Sequence, residues 1–165
     1  MKQNIFRRHL VMGWVACCAL FVGVVPTYGQ TSVSGLPIAP ELWAEPWPAQ
    51  WIAHPEADGA AFGVYHARRT VELAAAPDTF IVHTSGDNRY QLFVNGTLVR
   101  KGPSRGDIAH WRFETTDLAP YLQPGTNVIA AVVWNFAEHR PVAQHTYETG
   151  FILQAGAGAP PAVNT

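Results

Sequence analysis

Apolar and polar positions fall into three regimes along the chain. From Leu10 to Val25 the residues are apolar and carry no charge. From about Trp51 to Gln154, short segments alternate apolar with polar residues, the pattern of strands with one face buried. At 30–50 and 155–165, proline, glycine and small residues break every periodicity.

The alternating region predicts seven short strands: Val64–Val71, Thr79–Thr84, Arg89–Val94, Thr97–Arg100, Trp111–Thr115, Asn127–Phe136 and Thr149–Gln154. Asn95-Gly96 between the third and fourth is a hairpin signal, because a type I′ turn needs positive φ at both central residues. Asn127–Phe136 is nearly all apolar, which predicts a strand covered on both faces with Trp134 in the core. One helical turn is expected at Leu118–Leu122, capped by Asp117 and followed by a Pro124-Gly125 turn. Short strands without long helices make an all-β antiparallel β-sandwich. Its core would draw on Phe80, Ile81, Tyr90, Leu92, Val94, Val128, Ile129, Val132 and Ile152. At about 1.5–3 kcal/mol per large side chain, such a core needs no disulfide.

The ends read differently. Lys2, Arg7 and Arg8 precede the apolar run, Pro26 ends it, and Thr27-Tyr28-Gly29 places small residues for cleavage near Gly29. Residues 1–29 therefore read as a signal peptide and the protein as secreted or periplasmic, with no membrane association after cleavage. The alternative is an uncleaved anchor helix. Residues 30–50, with prolines at 37, 40, 46 and 48, predict an extended lead-in without helix, anchored by Trp43 and Trp47. Residues 155–165 (AGAGAPPAVNT) read as a linker.

Removal of 1–29 changes the composition. The whole chain of 165 residues has 11 basic and 12 acidic residues; without Lys2, Arg7 and Arg8 the balance is 8 to 12, or −4. No basic footprint remains for nucleic acid. Cys17 and Cys18 leave as well, so the mature domain has no disulfide, thiol nucleophile or Cys-ligated metal.

Catalytic patterns are missing. The sequence contains no HExxH, GxSxG, P-loop or dinucleotide fingerprint. His139 and His145 lie six residues apart on an irregular stretch, a weak metal pairing. No metal or cofactor is expected. No spacing marks the carboxylate pair that glycoside hydrolysis needs. Asp87 (SGDN) and Asp107 (SRGD) sit in turn-like contexts where Asp caps backbone. Arg105, Asp107, His110 and Trp111, within KGPSRGDIAHWR, have the make-up of a carbohydrate-recognition surface. There an aromatic ring stacks on a sugar face and polar groups hold the hydroxyls. The commoner use of Trp111 would be a core or interdomain contact.

Several segments together carry a resemblance: Gln50–Ala53 (QWIA), Phe62–Arg69 (FGVYHARR), Asp87–Gly96 (DNRYQLFVNG), Arg100–Asp107 (RKGPSRGD) with His110-Trp111, and Asp117–Val128 (DLAPYLQPGTNV). The stretch from Gln50 to Gln154 resembles the N-terminal β-sandwich module of bacterial α-L-rhamnosidases of the glycoside hydrolase family 78 type. The hairpin and DLxxYLxPGxN pieces also occur in sugar-binding jelly rolls of β-galactosidase-like enzymes, and GPSRGD…HW sharpens the rhamnosidase reading. The resemblance implies a galactose-binding-like jelly roll. It also implies that hydrolysis, by inversion, belongs to acidic residues of a separate (α/α)6 barrel, so no family catalytic residue maps onto this sequence.

The chain is accordingly expected to be a non-catalytic accessory module of a secreted rhamnosidase-type hydrolase, truncated before the barrel. Its expected partners are the parent enzyme's catalytic domain and rhamnose-containing glycans. A free-standing carbohydrate-binding protein and a purely structural sandwich are the alternatives.

Overall fold

Alternation along the chain becomes two facing sheets. The computed structural model describes residues 38–165; the leader, both cysteines and the expected cleavage site lie outside the described residues. Among the described residues there are seven strands: β1 (Gly63–Leu73), β2 (Ile81–Asp87), β3 (Arg89–Val94), β4 (Thr97–Gly102), β5 (Glu114–Asp117), β6 (Gly125–Asn135) and β7 (Gly150–Ala155). Among these strands, β1-β6-β3-β4 form one sheet and β5-β2-β7 the other, with every pairing antiparallel. The fold is an all-β sandwich.

The turn chemistry sets the register. Asn95 and Gly96 have φ of 49° and 82°, as a type I′ hairpin requires. The Asn95 side chain also accepts from Val128 N–H and donates to Asn127 Oδ1, each at 2.9 Å, tying the hairpin to β6. Asp117 Oδ1 accepts from Phe80 and Ala119 N–H at 2.9 Å, and a 3-10 turn follows at Ala119–Tyr121.

The core between the sheets contains Phe80, Val82, Tyr90, Leu92, Val94, Leu118, Ile129, Val133, Phe151 and Leu153. Tyr90 is fully buried, yet its hydroxyl pairs with Thr84 Oγ1 at 2.7 Å. Burial pushes the Tyr90 phenol well above its ordinary range.

Three expectations need correction. β6 is buried on one face only: Asn127, Ile129, Ala131, Val133 and Asn135 point inward, while Val128, Val132 and Trp134 are half-buried on the outer face. Being central between β1 and β3, β6 has its outer side chains flanked by neighbours even without a covering layer. Trp134 packs edge-on against Phe136 rather than in the core.

The lead-in does hold a helical turn, α1 (Glu41–Ala44), because its prolines flank the turn instead of interrupting it. Trp47 donates to Leu42 O, and its ring meets Phe113 and His83.

The 155–165 tail is no linker. Ala159 and Val163 join the core, Thr165 N–H bonds Leu153 O at 3.1 Å, and Gln50 N–H bonds Thr165 O at 2.8 Å. Pro160 is extended and Pro161–Val163 make a 3-10 turn, after which Asn164 and Thr165 cover the free edge of β7, accepting from Ala155 N–H through Oδ1 and from Leu153 N–H through Oγ1.

Candidate functional site

β2 organises one end of the sandwich. It is buried along its whole length. Its Ser85 hydroxyl donates to Arg112 O at 2.6 Å and accepts from Trp111 Nε1 at 3.1 Å. These two bonds pin the 103–113 loop onto the sheet and orient the indole. Asp87, at the end of β2, accepts through Oδ2 from Tyr147 N–H at 2.6 Å and Glu148 N–H at 2.8 Å. Trp51 comes from the N-terminal side, where Ile52 bridges Phe151 on β7. Trp51 and Trp111 meet edge to face with centroids 6.3 Å apart.

The result is two depressions that share Trp111. On one side is a groove of about 420 Å³, walled by Trp51, Ile52, Trp111, Tyr147 and Glu148 with Asp87 behind. Its size is that of a small-ligand site. Tyr147 is 76% exposed and Trp51 49%, so two large rings face solvent beside the half-buried Trp111. On the other side is a small polar hollow bordered by Asn88, Arg89, Arg105, Asp107, Arg112, Gln144 and His145. It encloses only about 20 Å³, room for one water-sized group.

Of the four residues singled out in the sequence, Arg105, Asp107 and Trp111 border this hollow. His110 does not. It turns to Asp107, with Nδ1 2.9 Å from Oδ1, while Oδ1 also accepts from Ala109 and His110 N–H at 2.9 Å. The hydrogen bond from His110 is the main reason that the Asp107 carboxyl sits below its usual range. Asp107 thus works first as the cap of its own turn, and Asp87 as the clamp on 147–148.

The sequence does not mark out Trp51, Tyr147, Asn88 and Gln144, which come from separate segments that only tertiary packing brings together; Arg112, by contrast, closes the same KGPSRGDIAHWR segment as Trp111. Asn88 is 3% exposed. Its Nδ2 donates to Gln144 O and His145 O, but Asn88 Oδ1 and Gln144 Oε1 have no protein partner among the described residues.

Two further clefts lie where β1 and β7 fail to close the sandwich, one of about 400 Å³ lined by Ala67, Leu92, Ile129, Phe151 and Val163, the other of about 300 Å³ beside His54 and Tyr65. The first is walled mainly by core side chains. The second holds the stacked pair His54–Tyr65, with ring centroids 5.6 Å apart. Among the described residues no group of three or more His, Cys, Asp or Glu is placed to hold a metal.

Comparison with known proteins follows this geometry. No family model matches the sequence, and no curated protein matches it. A GH78 family rhamnosidase of Bacillus sp. GL1 aligns over 69% of this chain at 27% identity, with a TM-score of 0.62. The α-L-rhamnosidase of Dictyoglumus thermophilum aligns over 65% at 18% identity and a TM-score of 0.52, a likeness of fold. The chain spans only 12% and 14% of these two proteins. Over its β-sandwich, then, this chain is similar to one module of a family 78 α-L-rhamnosidase.

Proposed function

We propose that the chain supplies a carbohydrate-recognition module of a secreted rhamnosidase-type glycoside hydrolase, and that the groove at Trp111 is where it meets glycan. The observation that carries this reading is the half-buried Trp111, held by the bond from its Nε1 to Ser85, set beside the exposed rings of Trp51 and Tyr147 with polar groups next to them. A sugar presents an apolar C–H face and a rim of hydroxyls, and Trp51, Trp111 and Tyr147 offer the first a surface. Glu148 and the polar rim beyond Trp111 offer the second partners.

The role is recognition rather than hydrolysis. Asp87 and Glu148 are the two acids of the groove, but Asp87 commits Oδ2 to two backbone N–H groups as a loop clamp. Bond cleavage would fall to a catalytic domain, the natural partner of such a module.

Calorimetric titration of the purified chain with rhamnose- and galactose-containing oligosaccharides tests the reading. Saturable binding that weakens in Trp111→Ala is expected, with no rhamnose released from an aryl rhamnoside. No heat with any of these glycans would overturn the binding role, and rhamnose release would overturn the non-catalytic one.

A further inference from the structure

The hollow beside Trp111 has an uncompensated charge. Arg89, Arg105 and Arg112 border it against the single carboxylate of Asp107. Among the described residues the ion pairs are His110–Asp107 and His139–Glu138, so no arginine is paired with an acid. Arg89 donates to Pro103 O at 2.9 Å. The nearby Glu114 is occupied, its Oε1 by Ser104 and its Oε2 by Tyr90. Asp107 is itself held by His110 and two backbone N–H groups. Positive charge therefore dominates a depression bordered by Asn88 and Gln144, whose Oδ1 and Oε1 are buried without a protein partner among the described residues.

Size selects what can enter. About 20 Å³ admits one oxygen-sized group such as a carboxylate oxygen, with the rest of the substituent at the mouth between the arginines, whereas the adjoining 420 Å³ groove admits a pyranose ring. Guanidinium groups match a planar carboxylate.

We propose that the ligand is an acidic glycan whose uronic acid residue lies against Trp111 and places its carboxylate in the arginine hollow. This rests on the carbohydrate reading of the groove and adds the charge class of the sugar. No bond is made or broken; the step is recognition.

The test titrates the full chain with trigalacturonate and with galactotriose, which differ chiefly by the carboxylate on each ring. The acidic trisaccharide should bind roughly tenfold tighter, with an advantage that shrinks as ionic strength rises. In Arg105→Ala/Arg112→Ala the ratio of acidic to neutral affinity should fall to about one, with the melting temperature checked alongside. Equal affinity for the two sugars in the native chain overturns the proposal while leaving the carbohydrate reading intact. So does an acidic preference that survives the double substitution. Inorganic phosphate that competes as strongly as trigalacturonate would assign the hollow to small anions and overturn the uronate. Binding of neither sugar, nor of a rhamnose-containing oligosaccharide, removes both readings together.

Discussion

Asn127 and Asn88 are both buried asparagines at strand ends, yet they are built to opposite rules. Asn127 uses both ends of its amide: Oδ1 accepts from Asn95 Nδ2 and Gln123 N–H, and Nδ2 donates to Gln123 O and Gly125 O. Asn135 is equally satisfied by Thr146, Thr149 and Ala137 N–H. Asn88 spends its donors on the 144–145 backbone and leaves its acceptor unpaired. A buried polar atom without a partner costs free energy, so proteins keep few of them. The contrast separates an asparagine whose amide is fully spent within the fold from one that keeps a buried acceptor unspent, as the Asp87 Oδ1 beside it also does.

The contrast breaks first at Asn127. Asn127→Ala removes four hydrogen bonds and strands buried partners, so urea unfolding should show a loss of about 3 kcal/mol or more. Glycan affinity of the fraction still folded should not change. Trp111→Ala should do the reverse. Affinity for oligosaccharide should fall about tenfold, or about 1.4 kcal/mol, in calorimetry. Its stability loss should be smaller than that of Asn127→Ala.

His83 sharpens the picture of the covered side of the small sheet. It is buried against Trp47 and Phe113, and burial holds its imidazole below the ordinary 6.5. The unfolded chain takes up this proton at higher pH than the folded one. Stability should therefore fall as pH drops below about 6.5 towards the folded-state value. In His83→Gln, thermal melts over that window should show a flatter slope. Gln144→Leu should give the smallest effect. Its Oε1 holds no protein partner, so stability should stay within about 0.5 kcal/mol while glycan affinity drops a few-fold.

Much of the sandwich was legible in the pattern. The pattern located six of the seven strands, and Asn95-Gly96 located the hairpin, because both signals are local; the fifth strand, expected at Trp111–Thr115, is Glu114–Asp117, and Trp111–Phe113 belong to the loop before it. Trp134 misled because composition alone does not separate a strand with two covered faces from a central strand with one. The 155–165 tail misled because small, proline-rich residues suit a linker and an edge-covering segment equally; only the contacts of Val163 and Thr165 decide. The site was half legible. Arg105, Asp107 and Trp111 lie within one segment, and that segment does border the hollow. Trp51, Asn88 and Tyr147 reach the same end from three other parts of the chain, through Ile52–Phe151 pairing and the Asp87 clamp. No local pattern encodes that meeting.

The most direct test of the central claim is a calorimetric titration of the purified chain with a rhamnose-containing oligosaccharide, run in parallel on Trp111→Ala. The account predicts saturable binding by the native chain and a roughly tenfold weaker response from the variant, measured at a temperature where its melting curve shows it still folded. Absence of heat in the native chain, or equal affinity in the two proteins, would contradict it.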